Sequence, residues 1–193
     1  PNINGIPSEK TDIKICYDDD DLYIGVLLYN NIDQISYKNG SNDDFFGVFD
    51  SKSDYFIIEF DTYHDHLASY SFAVNSSGIK ADYMIYNDGL IDDNWDTQWD
   101  ANVHSFNEGW SIEYRIPLKN LRLSTGENIT WGMNIIRYIK HINEYISWVV
   151  IPTEKVGIVS KYGHLNNLNI KHKKSIQFNP YVLKGKSIYN DKY

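Results

Sequence analysis

The sequence predicts an all-β fold, a two-layer antiparallel β-sandwich of the immunoglobulin or jelly-roll type. Apolar and polar residues alternate with a period of two in roughly eight or nine segments, as in half-buried strands. Helical periodicity is scarce, so we expect less than about one tenth helix. Aromatic residues make up 15% of the chain and include 16 tyrosines, which favour pleated, half-buried surfaces. These features are typical of an antiparallel sandwich.

The predicted strands follow one another at short spacing along the chain. In one of them Phe56, Ile58 and Phe60 share a face, as strand geometry requires. The acidic run 18–21 predicts a hairpin turn, and the segment 117–123, which begins with proline, predicts one helical turn. The predicted strands are 12–17, 22–28, 54–61, 68–75, 79–86, 110–117, 131–142 and 145–151.

One stretch, residues 87–108, is long, polar and poorly periodic. We expect it to be an irregular loop. Long loops on a rigid scaffold are where binding residues usually lie. This stretch is therefore the first place to look for a ligand site.

Charge divides the chain into two parts. The net charge is −8, yet residues 161–193 hold seven lysines and a single acid, Asp191. We interpret residues 1–170 as the sandwich domain and residues 171–193 as a basic tail that starts a following domain and packs poorly here. The acidic body argues against nucleic acid as a partner, because phosphates require a basic face.

The single cysteine, Cys16, excludes an internal disulfide and a cysteine-based zinc site. No run of about 18 apolar residues is present, so no membrane-spanning helix is expected. The chain opens at Pro1 and stops within a patterned segment, so we expect it to be a piece of a longer protein.

A series of short motifs resembles one known family over about residues 11–170. In number, order and spacing they are similar to the family 9-type carbohydrate-binding domain. The version most like them stands at the N terminus of outer-membrane-associated bacterial proteins with a predicted C-terminal β-barrel. The motifs are DDLYIGV at 20–26, SDYFIIEFDTYHD at 53–65, YSFAVNSSGIKAD at 70–82, NWDTQWDA at 94–101, GWSIEYRIPLKNLRL at 109–123, WGMNIIRYIKHINEYISW at 131–148 and SKYGHL at 160–165.

The resemblance implies a non-catalytic carbohydrate-binding module of a bacterial cell-envelope protein, with calcium as a candidate stabilising ion. Its place would be the periplasm or outer membrane of a Gram-negative bacterium. Its partners would be a poly- or oligosaccharide and an outer-membrane β-barrel of the same full-length chain. The segment SIQFNPYVLKG at 175–185 looks like the opening strand of that barrel.

Two alternatives to sugar binding stay open. The same sandwich superfamily includes electron-transfer domains that hold haem b, and Met84 and Met133 are the chain's two methionines. Methionine is a haem ligand, but in strands it commonly fills gaps in the core. The other alternative is a structural or interaction domain for the barrel.

Candidate sugar-binding residues stand in the motif NWDTQWD. Sugars present apolar C–H faces ringed by hydroxyl groups, so their sites combine an aromatic wall with carboxylates and amides. Trp95 and Trp99 supply rings, and Asp96, Gln98 and Asp100 supply polar groups. The alternative for each ring is that it caps the core.

Trp148 joins this set through the resemblance, because family 9 modules hold a terminal sugar between two aromatics, one of them on a late strand. We expect Trp95, Trp99 and Trp148 to include the aromatic wall of a sugar site. Trp110 and Trp131 begin strands and are expected to plug the core.

Candidate metal ligands cluster near the end of the strand 54–61. Asp61 and Asp65 offer carboxylate oxygens on a loop, the chemistry that calcium prefers. The alternative is that these acids are solvated edge charges. His64 and His66 form a second metal-like pair, for which the sequence shows no third ligand.

No catalytic motif is evident, so we expect the chain not to be an enzyme. The sequence contains no G-x-S-x-G, no phosphate-binding loop and no H-E-x-x-H. A glycosidase needs two catalytic carboxylates. The chain has 26 acids, so the sequence does not single out any pair of them. Arg115, Arg122 and Arg137 are expected to form ion pairs at the sandwich edge.

Overall fold

The computed structural model describes residues 5–41, 49, 52–152 and 156–171, and over these residues the chain forms two antiparallel sheets. Strands account for 53% of the described residues and helix for 8%. The helical part described consists of short 3₁₀ turns, one of them at Leu118–Asn120 within the predicted helical turn. The predicted sandwich with little helix is confirmed.

The first sheet has four strands: β1 (Thr11–Tyr17), β2 (Asp21–Tyr29), β7 (Asp100–Phe106) and β8 (Gly109–Pro117). Their order in the sheet is β1-β2-β8-β7. In β2 and β8, alternate residues are buried, as the sequence predicts. These two strands pair along their whole length, from Asp21 opposite Pro117 to Tyr29 opposite Gly109.

The second sheet has seven strands: β3 (Tyr55–Asp61), β4 (Ser69–Asn75), β5 (Lys80–Tyr86), β6 (Leu90–Asp92), β9 (Gly126–Ile139), β10 (Glu144–Ser147) and β11 (Gly163–Ile170). Their order is β10-β9-β3-β4-β5-β6, and β11 also pairs with β9. With 14 residues, β9 is twice as long as β3. One edge of β9 pairs first with β11, where Met133 faces Gly163, and then with β10, where Ile139 faces Glu144.

Three of these strands, β6, β7 and β11, lie outside the predicted set. The expectation of one irregular loop at 87–108 is wrong for 90–92 and 100–106. β7 is an edge strand of half-buried and exposed residues, so its alternation is weak. β11 shifts register between Leu165 and Leu168, and such irregularities break the period of two.

The core lies between the sheets and consists of inward-facing apolar side chains from both. Phe56 and Phe72 of the second sheet face the layer of Ile112 and its neighbours from the first. Trp110 and Trp131, expected to plug the core, are 1% and 0% exposed. That expectation is confirmed.

The outer face of the second sheet is covered as well. All seven residues of β3 are buried, so this strand has no solvent-exposed face. The cover includes residues 149–152 and 156–162. Asn134 accepts the N–H of Val149 at 3.0 Å and donates to its carbonyl at 3.3 Å, and Asp88 accepts the N–H of Ser160 at 2.8 Å.

At one edge the two sheets are joined by the guanidinium of Arg137 on β9, which is 1% exposed. It donates to the carbonyl of Lys10 at 2.8 Å, the hydroxyl of Thr11 at 2.9 Å and the carbonyl of Tyr29 at 2.5 Å. Burial lowers the pKa of Arg137 to about 10, and nearby acids, Asp54 foremost, oppose that shift. The group therefore remains protonated at neutral pH, and its partners are backbone and hydroxyl oxygens rather than the expected ion pair.

Some expectations fall on parts of the chain that the structure leaves out. Apart from Lys171, the basic tail 171–193 lies outside the described residues, and so does the segment 175–185. The domain boundary at residue 170 stays a prediction. Within the described ranges, no helix is both long enough and apolar enough to cross a membrane.

Replacing Arg137 with methionine keeps most of the side-chain volume but removes the hydrogen bonds between the sheets. A buried carbonyl left without a donor costs about 1–3 kcal/mol. The carbonyl of Tyr29 loses the guanidinium, whereas that of Lys10 keeps the backbone N–H of Tyr29. We expect the free energy of unfolding to fall by about 1–3 kcal/mol, with a smaller loss for Arg137→Lys. Urea denaturation followed by tryptophan fluorescence measures the change.

The matched control is Arg122→Met, since Arg122 is exposed and its guanidinium carbon lies 4.0 Å from the centre of the Tyr63 ring. Loss of that cation–π contact costs about 1 kcal/mol or less. An Arg137→Met variant as stable as Arg122→Met would contradict the role given to the buried guanidinium.

Candidate functional site

An open groove runs along the edge of the sandwich where β1 faces β9 and β10. Its volume is about 650 Å³, within the range of about 300–1,000 Å³ typical of small-molecule sites. Ile13, Phe56 and Ile135 supply apolar lining, and Arg137 lies at the base of the same groove. Trp148 also lines it.

Trp148 is the one exposed tryptophan of the five, all of which lie in the described ranges, and 51% of its surface is accessible. It directly follows β10, and its N–H donates to the carbonyl of Ile135 at 3.1 Å. A methyl group added at Gly163 would lie 2.8 Å from two carbons of the indole ring. The absence of a side chain at 163 therefore permits the position of the indole beside the groove.

Polar side chains surround this apolar surface. Ser8 donates its N–H to one carboxylate oxygen of Glu144 at 3.3 Å and its hydroxyl to the other. Lys10 forms an ion pair with Asp12 at 2.6 Å, and both side chains are substantially exposed. The groove thus combines an aromatic surface with exposed hydrogen-bond donors and acceptors.

Trp99, in contrast, is a core residue with 3% of its surface exposed. Its ring stacks on Tyr114 with centroids 5.8 Å apart and meets the edge of Phe72 at 5.1 Å. Lys80 lies over the ring at 4.8 Å and donates to the carbonyl of the same residue. In this position Trp99 closes the sandwich between β4 and β8 and offers no free face.

Trp95 is half-buried at the same side of the sandwich as Trp99. It packs on Tyr70 at 5.0 Å and Phe72 at 6.1 Å, both from β4. In the second sheet β4 stands three strand positions from β10, roughly 14 Å at the usual spacing between strands. The three predicted tryptophans therefore do not form one wall.

The polar residues predicted beside these rings are exposed but lie away from the groove. Asp96 and Gln98 face solvent, and the backbone carbonyl of Gln98 accepts from Asn120 at 2.8 Å. Asp100 lies 4.0 Å from Arg115, which also pairs with Asp21 at 2.9 Å. The edge ion pair expected for Arg115 is confirmed.

Asp61 and Asp65, the predicted calcium ligands, organise the turn between β3 and β4. Asp61 accepts the N–H groups of Asp65 at 3.3 Å and His66 at 2.9 Å. Asp65 accepts those of Leu67 at 2.9 Å and Ala68 at 3.1 Å. Calcium requires about six to eight oxygen ligands, so an ion here would compete with the turn for these oxygens.

The described residues also contain no group of three or more His, Cys, Asp or Glu side chains that could hold a metal ion. The two carboxylates therefore fit the turn better than they fit calcium. Calcium binding by Asp61 and Asp65 stays a prediction.

A second cavity, of about 470 Å³, lies under the cover of the second sheet and is lined in part by Glu59. The Glu59 side chain is buried and accepts the hydroxyls of Tyr162 at 2.7 Å, Tyr83 at 2.8 Å and Ser71 at 3.5 Å. Burial raises the pKa of Glu59, and the hydrogen bonds from Tyr162, Tyr83 and Ser71 oppose the rise. The hydroxyl partners of Glu59 are 12 to 103 residues away along the chain, so this network does not follow from local sequence.

Comparisons with known proteins give results at the level of structure alone. No family model and no curated protein matches the chain. A family 9 carbohydrate-binding module from Caldicellulosiruptor kristjanssonii, solved with cellotriose, aligns with TM-score 0.60 and 13% identity over 93% of this chain and 86% of the module. The glucose complex of such a module from the same organism aligns with TM-score 0.59 and 13% identity over 91% and 83%.

A candidate carbohydrate-binding protein from Bacteroides uniformis aligns with TM-score 0.64 and 9% identity, covering 82% of this chain and 78% of that one. At these identities the likeness concerns the fold. The chain therefore has the β-sandwich fold of family 9 carbohydrate-binding modules, as the sequence motifs indicated.

The Glu59 network predicts a pH-dependent stability. The pKa of Glu59 is raised in the folded protein, so the protonated carboxyl contributes to the free energy of unfolding. This contribution is fully present below the usual pKa of 4.5 and is lost as pH rises through the folded pKa. The glutamine of the Glu59→Gln variant cannot ionise. The melting temperature of this variant should therefore rise relative to that of the wild type as pH increases above 4.5. Thermal denaturation across this pH range tests the expectation.

Two further variants define the result. Glu59→Leu removes the carboxylate that accepts both tyrosine hydroxyls and should cost about 1–3 kcal/mol at every pH. Glu113→Gln, at an exposed position of β8, should leave the melting temperature unchanged. Parallel pH profiles for the wild type and Glu59→Gln would show that Glu59 does not carry this dependence.

Proposed function

We propose that the chain is a non-catalytic carbohydrate-binding module and that its sugar lies in the groove beside Trp148. The observation that carries the proposal is the half-exposed indole at the edge of a groove of about 650 Å³. The fold supports it, because modules of the same fold have been solved with cellotriose and glucose.

The chemistry of the groove suits a pyranose. The indole of Trp148 and the side chains of Ile13 and Ile146 present apolar surface to the C–H face of a sugar ring. Glu9 and Ser8 on the rim supply groups that hydrogen-bond to hydroxyls. The net charge of −8 on the chain favours neutral sugars over uronic acids.

A single aromatic surface predicts weak binding. Stacking on one ring contributes on the order of 0.5–1.5 kcal/mol beyond burial, by analogy with aromatic pairs. We therefore expect dissociation constants from roughly 100 µM into the millimolar range.

The haem alternative requires a slot between the sheets. The core side chains, Met133 among them, fill this layer in the described structure, and Met133 is 6% exposed. The structure thus favours sugar binding over haem binding. Absorbance of the purified protein near the Soret band tests the alternative directly.

We also propose that the module works at the cell envelope of a Gram-negative bacterium, ahead of an outer-membrane β-barrel in the same chain. The support is the similarity of the sequence motifs to envelope proteins of that organisation. Fractionation of cells that express the full-length protein would test it: recovery in the cytoplasm would contradict the proposal.

Substituting Trp148 with alanine removes the aromatic surface while leaving the core intact. We expect affinity for cellotriose to fall about tenfold or more, which corresponds to about 1.4 kcal/mol, with little change in melting temperature. Gly163→Ala should also lower the affinity for cellotriose, because the added methyl group displaces the indole. Isothermal titration calorimetry or affinity electrophoresis measures both effects.

Trp95→Ala is the matched control, since Trp95 is also partly exposed but lies across the sandwich. It should bind as the wild type does. Trp99→Ala should instead destabilise the fold by about 3–5 kcal/mol, as expected for a buried aromatic. Full binding by Trp148→Ala, or loss of binding in Trp95→Ala alone, would contradict the assignment of the groove.

A further inference from the structure

A row of polar side chains crosses the second sheet beneath its cover. Asn134 of β9 pairs with Glu59 of β3. Glu59 pairs in turn with Ser71 of β4, and Ser71 pairs with Tyr83 of β5. Residues paired in this way point to the same face of a sheet, and all four are buried. Glu59 therefore lies within a buried polar row, and it is the member that carries a carboxyl group.

The cavity of about 470 Å³ lies over this row. Its volume is within the range of about 300–1,000 Å³ typical of small-molecule sites. Glu59, Tyr83 and Asn134 line it from the sheet, whereas Ile151 and Ile158 line it from the cover. The cavity thus combines one acidic group with walls that are mainly apolar, which is the usual composition of a ligand pocket.

The apolar walls of this cavity remain partly accessible to solvent. Ile91 of β6 is 48% exposed, and Ile136, Ile151 and Ile158 are half-buried. Each of these isoleucines lines the cavity. A ligand with an apolar body would cover this surface and remove it from water, which is favourable in proportion to the area buried.

Glu59 has hydroxyl partners but no cationic partner in the described part of the chain. The hydroxyls of Ser71, Tyr83 and Tyr162 donate to it, and no lysine, arginine or histidine of these ranges forms an ion pair with it. Buried carboxylates are usually paired with a cation, because a charge loses its hydration on burial. A carboxylate has roughly four lone-pair sites, so three hydroxyls leave room for a further donor.

A second acidic group near the cavity also favours a positive ligand. Gly157 lines the cavity, and a methyl group added at this glycine would collide with the carboxylate of Asp88. Asp88 accepts hydrogen bonds from the backbone N–H groups of Ile158 and Ser160. Acidic groups at or near a cleft attract cations and repel anions.

We propose that this cavity binds a small molecule that has an apolar body and a single ammonium group. The ammonium would donate a charge-assisted hydrogen bond to Glu59, and the apolar body would cover the isoleucines of the walls. A sugar suits these walls poorly, because its hydroxyls would lose water without gaining partners. The cavity is therefore a second binding site, with a ligand of different chemistry from that of the groove beside Trp148.

The test uses the full 193-residue chain and three probes of similar shape: 2-phenylethylamine, 2-phenylethanol and phenylacetate. At about pH 8 an alkylamine is still protonated, as a lysine side chain is. In isothermal titration calorimetry the amine should bind with one-to-one stoichiometry. The alcohol, which lacks the charge, should bind about tenfold more weakly or less, and phenylacetate should not bind.

Two pairs of variants locate the site. Glu59→Gln removes the charge but keeps an acceptor for the hydroxyls, so it should weaken binding of the amine about tenfold while leaving binding of the alcohol unchanged. Glu113→Gln, at an exposed position of β8, is its matched control. Ile151→Trp fills the cavity and should weaken binding of both probes, whereas Ile142→Trp, at a position 45% exposed, should weaken neither.

Absence of amine binding at millimolar concentration by the wild-type chain would overturn the proposal. Equal affinities for the amine and the alcohol, or an unchanged amine affinity in Glu59→Gln, would show that the carboxylate is not the partner. If Glu59→Gln fails to fold, the tryptophan variants decide: equal amine binding by Ile151→Trp and Ile142→Trp would place the amine outside this cavity.

Discussion

The buried guanidinium of Arg137 determines how one side of the sandwich is built. Two sheets with apolar inner faces close most simply by packing side chains together, as Trp99, Phe72 and Tyr114 do on the other side. At the Arg137 edge, a charged group instead reaches from β9 to backbone oxygens at the start of β1 and the end of β2. Because these oxygens fix the separation of the strands, the edge stays open and a groove remains there.

The asymmetry between the two sides explains where each tryptophan lies. On one side, large aromatic rings fill the space between the sheets. Trp99 therefore lies in the core and Trp95 is half-buried. On the Arg137 side, Trp148 follows a short strand and rests against a glycine, with no partner sheet above it. The indole available to a ligand therefore lies at the edge where hydrogen bonds of Arg137 join the sheets. The rings at the edge closed by apolar packing belong to the core.

The sequence predicts the strands that alternate strongly and misses those that do not. β2 and β8 bury every second residue, and their positions follow directly from the pattern. β7 and β11 are edge strands with weak or interrupted alternation, so local sequence does not separate them from loops. The same limit applies to the sites: the motif around Trp95 and Trp99 indicates aromatic density but not its burial, and Glu59 meets Tyr83 and Tyr162 only in the folded chain.

The division of one β9 edge between β10 and β11 has a consequence for behaviour at high concentration. A long, flat edge strand offers unpaired N–H and C=O groups to a second molecule and promotes aggregation. Here the outer edge consists of a four-residue strand, β10, and a strand with shifted register, β11. Neither offers a continuous template for intermolecular strand addition. This edge of the second sheet is therefore a poor template for the addition of a strand from another molecule.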